Sequence, residues 1–425
     1  MQFLAKYFPL HPLAWRNRLH ALGLAVLVAL ITGSSSALFL AVLDALTQLR
    51  GEQKWLIYLL PFAGFLVGWL YTRFGGLAGR GNNQLLDEFH MRKGGIPWVM
   101  APLVLLGTWL THAFGGSAGR EGTAVQMGAS LAQGLGTRMG LARRQQRALL
   151  LMGMAGGFGA VFGTPLAGAV FAVEVLGKGQ HRYRHLLVAL LTAWGAHAVC
   201  MAWGIVHTPF ALTNHLHLDA AGGIALVGAA LAFGLAARLF SGLGHFFNRQ
   251  LSRLLPNLPL RAFVGGLLLS LVFWLTKNDR YLGLGVPVIL EAFDQPLPWY
   301  DFLAKTLYTT FTLGAGFKGG EVTPLFFTGA TLGSSLSTLL PLPTDWLAAL
   351  GLVAVFAGAT NTPVACAILG AELFGWMLFP VALPVCWLAV GVSGPAGIYS
   401  SQPAYILKLE NLITKVNPLR TPKTH

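Results

Sequence analysis

Apolar runs long enough to cross a bilayer recur along most of this chain, and nothing else in it limits the possible folds so severely. Leu19–Leu46, Trp55–Tyr71, Ile96–Phe114, Leu186–Ile205, Ala220–Phe240 and Ala262–Leu275 are such windows. A membrane helix needs roughly 20 mostly apolar residues. Only 10% of the 425 residues are charged and 55% are hydrophobic, too few charges to solvate a soluble surface of this size. The sequence therefore predicts an all-α integral membrane protein with little room for a soluble domain.

Lys6, Arg16 and Arg18 precede the first run, which exceeds signal-peptide length and lacks a small-residue cleavage site, so it reads as a retained span. Cys200, Cys366 and Cys386 lie in apolar stretches without CxxC spacing and read as small core residues. The net charge of +14 sits in short connections: Arg92 and Lys93; Arg138, Arg143, Arg144 and Arg147; Lys178, Arg182 and Arg184; Arg249, Arg253 and Arg261. Lys408, Lys415, Arg420 and Lys423 follow in the tail, whereas residues 207–219 carry no Lys or Arg. This is a positive-inside pattern rather than a nucleic-acid surface, and it places both termini in the cytoplasm. Arg50, Lys54, Lys277 and Arg280 fall on the opposite side. The expected organisation is a cytoplasmic N-terminal segment (1–18), a first membrane repeat (19–215), a second (216–415) and a cytoplasmic tail (416–425), multi-pass in the inner (plasma) membrane.

Two echoes define the repeats. Gly119-Arg120-Glu121-Gly122-Thr123 matches Gly319-Gly320-Glu321-Val322-Thr323, and Thr164-Pro165 matches Thr362-Pro363, with Glu174 and Glu372 following at equal distance. Both echoes have an offset of about 200 residues and keep the same order. Glycine or proline breaks at matching places in two halves point to a transporter's binding site and to an inverted-topology repeat of short, tilted and re-entrant helices. Each glycine-rich loop opens a helix, whose first N–H groups and partial positive charge suit an anion.

A glutamate there is itself an anion. Ionised, it occupies the site; protonated, it leaves, and a substrate anion enters, which links anion and proton occupancy. Intramembrane carboxylates are functional by default. Against this stand helix-capping roles for Glu121, held by Arg120, and for Glu321, near Lys318. Glu174 and Glu372 read equally well as hydrogen-bonded structural carboxylates or as proton relays. Asp87-Glu88-Phe89-His90 reads as a polar helix end, and the scattered histidines have no metal-ligand spacing, so no metal or cofactor is expected. Gly79-Arg80-Gly81-Asn82-Asn83-Gln84 is a third glycine-rich element, with amide donors at a helix start.

At these residues the chain resembles the CLC family of chloride channels and anion/proton antiporters, from the first apolar span to about Tyr399. Gly119–Gly122 matches the family's gating-glutamate motif, Gly320-Glu321-Val322-Thr323-Pro324 its Gly-x-Phe-x-Pro element, and Tyr399 its pore tyrosine. The resemblance implies an all-α homodimer with one pathway per subunit. Departures from the chloride pattern are informative: Thr123 replaces a proline, Gly79–Asn83 replaces the element carrying the chloride-coordinating serine, Glu321 replaces Phe or Ile, and Val175 stands at the internal proton-transfer glutamate. Together they resemble the family's fluoride/proton antiporter branch. That implies Glu121 and Glu321 as gating and proton-coupling groups, and Asn82, Asn83, Gly122, Thr123, Val322, Thr323 and Tyr399 as anion ligands. Arg80 and Lys318 would be vestibule cations, and the partners fluoride, protons, lipid and a second subunit, with no nucleic acid. A chloride or nitrate/proton antiporter and a passive anion channel are the alternatives. A membrane enzyme lacks any matching motif here.

Overall fold

The computed structural model describes residues 13–91, 94–177, 185–394 and 396–403. The basic clusters at 92–93 and 178–184 and the tail from 404 onward, including 416–425, lie outside the described residues. Sixteen α-helices make up most of the described chain, and the one β-bridge in it is isolated. The first half holds α1 (Leu13–Glu52), α2 (Leu60–Leu70), α3 (Asn82–Met91), α4 (Met100–Ala113), α5 (Glu121–Arg138), α6 (Arg143–Phe162), α7 (Pro165–Glu174) and α8 (Leu186–Ala202). The second holds α9 (Ala220–Leu254), α10 (Leu258–Thr276), α11 (Val286–Asp294), α12 (Asp301–Gly314), α13 (Val322–Leu336), α14 (Thr344–Thr360), α15 (Pro363–Phe374) and α16 (Phe379–Ser393). Element by element the order repeats, and the expected repeat boundary at 215–216 falls in the connection between α8 and α9. The first helix begins at Leu13, ahead of the residue 18 boundary read from the sequence.

Among the described residues, five helical stretches are long and apolar enough to cross a membrane: His20–Glu52, Lys54–Arg80, Ala220–Leu254, Leu258–Thr276 and Trp376–Ser393. Others fall short. The apolar run Ile96–Phe114 contains only the 14-residue α4, about 21 Å of helix against a hydrocarbon core of about 30 Å. Pro97 precedes it and the Gly115–Gly116 turn ends it, so burial outlasts helicity. Lys54–Arg80 is a broken span: a 3₁₀ turn, then α2, a π turn at Tyr71–Gly75 and a second 3₁₀ turn at Gly76–Arg80.

Tight helix pairs recur in both halves, α5 against α6 and α13 against α14. Glycines allow it: a Cβ added at Gly153 would lie 2.3 Å from the Gly128 carbonyl, and one at Gly351 would lie 2.1 Å from that of Gly329. Backbones approach this closely only at small residues, which take over where lipid removes the hydrophobic drive between helices. Elements meet their own counterparts at several places: α2 against α10, α5 against α13, α7 against α15, and the Gly119 loop against the Gly320 loop. Phe158 and Phe171 of the first half both stack on Phe356 of the second, with ring centroids 6.4 and 5.7 Å away.

The second echo resolves into a cap. α7 and α15 each start with Thr-Pro, and Pro at the first position costs no hydrogen bond. The next two amides of α7, Leu166 and Ala167, donate to the Glu372 carboxylate at 3.0 and 2.7 Å. Those of α15, Val364 and Ala365, donate to Glu174 at 3.2 and 2.7 Å. Each half thus caps the other's helix, and both glutamates serve as hydrogen-bonded structural carboxylates.

Candidate functional site

The two glycine-rich loops meet at the centre. Gly119 N–H donates to the Gly320 carbonyl at 2.6 Å, and Gly320 N–H returns a bond to Gly119 at 2.7 Å. The antiparallel sense fits loops entering from opposed halves. No side chain fits between them: a Cβ on Gly320 would lie 2.7 Å from the Gly122 nitrogen. One on Gly122 would lie 3.2 Å from Asn82 Nδ2 and 3.6 Å from Glu321 Oε2, so those groups crowd the first turn of α5.

Glu121 opens α5 and is 1% exposed. Its carboxylate reaches across to the other half, where Thr323 N–H donates at 3.1 Å and Thr323 Oγ1 lies 2.7 and 2.6 Å from the two carboxyl oxygens. Arg120 N–H donates at 3.2 Å, and Arg120 Nε stands 3.5 Å away as an ion pair. Glu121 therefore caps α13, the helix of the opposite repeat, filling a donor set that any small anion would suit. Thr123 is directed elsewhere. Its hydroxyl lies 2.7 Å from that of Thr108, whose own proton goes to the Val104 carbonyl.

Glu321 precedes α13 and lines a cavity of about 150 Å³ together with Arg80, Asn82, Asn83, Lys318 and Tyr399. Lys318 Nζ sits 4.2 Å from the centre of the Tyr71 ring, a cation–π contact that holds the ammonium at the wall. Arg80 is anchored at the rim by a close ion pair to Asp87 and by Gln84 Oε1 at 3.2 Å. Asn82 begins α3 with its buried Oδ1 unpartnered. With Tyr399 it also borders a second, about 10 Å³ cavity walled by Leu85, Val125, Met154 and Phe171. Asn83 accepts from Ser401 N–H at 2.9 Å, tying down the segment that carries Tyr399. Val322 is buried at the first position of α13, beside the Gly320 loop.

Tyr71, Gln126 and Gln402 were not legible as site residues. Gln126 lies one turn after Gly122, a spacing that puts both on one helix face, and it lines the Glu321 cavity. Gln402 donates to the Val175 and Thr360 carbonyls at 3.0 and 2.8 Å and so positions Tyr399, which no local pattern announces.

A third cavity, about 410 Å³, lies on the other side of the glycine loops and is lined by Arg50, Arg120, Asp279 and Arg280 among others. Lys54, at the start of the broken span, pairs with Asp279 at 2.8 Å, and Arg80 ends the same span at the Glu321 cavity. The two cavities therefore occupy opposite ends of a membrane-crossing segment, with the buried Glu121 between them.

Comparison with known proteins agrees with this geometry. A profile of the voltage gated chloride channel family matches residues 63–394. The chloride/fluoride channel protein of Pseudomonas syringae pv. tomato is 47% identical over 387 residues, covering 90% of this chain and 86% of the relative. A crystal structure of a CLC-type fluoride/proton antiporter superposes with a TM-score of 0.87 at 37% identity, over 90% of this chain and 98% of that one. A slow cyanobacterial Cl⁻/H⁺ antiporter shares the fold with a TM-score of 0.79 at 21% identity, over 97% and 100% of the two chains. The chain belongs to the CLC family: it is a membrane anion transporter or channel and not an enzyme.

Proposed function

We propose that this protein is a fluoride/proton antiporter that moves fluoride out of the cell as protons enter. The observation that carries the reading is the place of the Glu121 carboxylate, in the donor set at the start of α13, with Glu321 lining the cavity on the Arg80 side. Ionised, Glu121 closes the conduit by occupying the anion's place. A proton arriving from the Arg50 side neutralises it, and its donors become free for an incoming anion. The Thr323 hydroxyl serves both states, donating to the carboxylate and accepting from the protonated acid. Fluoride, small and strongly hydrated, needs compact donors in place of water, and Asn82, Asn83, Tyr399 and the loop amides of Gly122, Val322 and Thr323 are of that kind. Glu321 carries the proton between Glu121 and the Arg80-side cavity, where Arg80 and Lys318 gather anions. The Arg80 side and both termini are cytoplasmic in this reading, the protein resides in the plasma membrane, and a homodimer places one conduit in each subunit. The 37% identity to a fluoride/proton antiporter supports it.

The name of the Pseudomonas relative pairs chloride with fluoride and calls the protein a channel, which favours passive halide conduction as a second reading. Purified protein in liposomes separates the two. A fluoride gradient drives uphill proton movement in an antiporter and cannot do so in a channel. Glu121→Gln abolishes that proton movement; if it persists at the wild-type rate, Glu121 is not the gate. Chloride flux equal to fluoride flux refutes the selectivity.

A further inference from the structure

The Arg50-side cavity carries three orphaned polar groups that gating by Glu121 does not use. Thr47 Oγ1, Arg50 Nη1 and Arg120 Nε are buried side-chain atoms without a hydrogen-bond partner, and all three residues line this one space of about 410 Å³. Their convergence has a simple origin. Thr47 and Arg50 are three residues apart on α1 and share its inward face, while Arg120 comes from the gating loop opposite. A buried donor without an acceptor costs about 1–3 kcal/mol, and more when it is charged. A helical threonine ordinarily returns its hydroxyl to the carbonyl four residues back, and Thr47 does not.

The other charges around the cavity are accounted for. Arg280 is spent on Asp301 at 2.9 Å and Glu291 at 2.8 Å. Asp279 is paired with Lys54 at 2.8 Å. Asp44 lines the same space but is exposed, with solvent to screen it. What remains inside is the Arg50 guanidinium with its orphaned Nη1, the Arg120 guanidinium, whose only counter-charge among the described residues is Glu121, and the Thr47 hydroxyl. Arg120 joins them to the gate, because its Nε stands 3.5 Å from Glu121 Oε1.

We propose that this cavity is a receiving site for one monovalent anion, held by Arg50, Arg120 and Thr47 immediately beyond the Glu121 gate. The site takes a small anion that keeps part of its water shell, since the space far exceeds a bare halide. It catches the ion as Glu121 returns to its donors, and it keeps that ion from falling back. The proposal rests on the antiporter reading for the ion's identity, fluoride, and on the cavity alone for its charge and place.

The test measures initial fluoride efflux from liposomes holding the full-length protein, as a function of fluoride concentration, at low ionic strength and again with added inert salt. Arg50→Gln is expected to raise the half-saturating fluoride about tenfold at low salt, the loss of one charged hydrogen bond. Arg50→Lys restores part of it, and added salt narrows the gap between variant and wild type. Should Arg50→Gln fail to fold, Thr47→Val carries the same test with an expected rise of about threefold. Wild-type half-saturation in every folded variant overturns the proposal. A protein that moves chloride instead of fluoride would defeat the antiporter reading, yet show the same displacement when chloride is titrated, so the two failures are separable.

Discussion

Replacing Thr323 by valine keeps the side chain's volume and shape and deletes one hydroxyl. In the wild type that hydroxyl lies 2.6 and 2.7 Å from the Glu121 carboxyl oxygens, backed by the Thr323 and Arg120 amides at 3.1 and 3.2 Å and by the longer Arg120 Nε ion pair at 3.5 Å. A hydrogen bond to a charged group is worth about 2 kcal/mol. Without it, the ionised Glu121 loses its hold on the α13 start by roughly 30-fold in the equilibrium between seated and displaced carboxylate. The backbone donors survive, so an anion still finds a place there, and the gate stands open more often without a proton. The expected result is fluoride flux that continues while the protons moved per fluoride fall several-fold. Simultaneous fluoride-electrode and pH recording on the same liposomes reads both, and Thr323→Ser serves as the control that restores coupling. If Thr323→Val couples protons to fluoride as tightly as the wild type, the Thr323–Glu121 contact does not hold the gate and the competition argument fails.

Tyr399→Phe, which removes the hydroxyl of a residue lining both the Glu321 cavity and the small cavity behind it, should raise half-saturating fluoride about fivefold without loosening proton coupling, as titrated flux will show. Glu372→Gln should cost about 1–3 kcal/mol, because the α7 amides lose a charged acceptor; thermal unfolding in detergent reads it, and an unchanged midpoint counts against the cap. Glu174→Gln should cost about the same, since its contacts mirror those of Glu372. Gly351→Ala puts a methyl group 2.1 Å from the Gly329 carbonyl and should exceed the about 3 kcal/mol usual for overpacking, seen as loss of monodisperse protein; normal yield and stability would refute the close packing of α13 on α14.

The all-helical membrane fold and its two halves were legible because they are written in composition and in repeated polar residues. Glu121 and Glu321 stood in matching loops, and the structure brings those loops together. Less could be read of which donor belongs to which acid. Thr123 and Thr323 occupy equivalent places in their motifs, yet Thr123 turns to Thr108 while Thr323 takes Glu121 across the molecule. That asymmetry arises from the neighbouring helix α4, which local sequence does not encode. Glu174 and Glu372 announced themselves by equal spacing, but the exchange of caps between halves is a contact across about 190 to 206 residues. Arg50 read only as a stray positive charge at odds with the loop pattern, since its cavity is assembled from α1, Arg120 of the Gly119 loop, the stretch after α8, and the start of α11 with the connection before it. The short α4 was overestimated because hydropathy reports burial, and the turn that follows it is buried too.

The exchanged caps have a consequence for how such a chain is put together. Whatever one half lacks at the start of its short Thr-Pro helix, the other supplies, and the debt runs equally in both directions. A lone half would leave two backbone donors facing hydrocarbon and a carboxylate with nothing to grip, whereas two halves inserted head to foot answer both needs at once. The link between α8 and α9 takes no part in these caps, and separately produced halves are expected to associate through them.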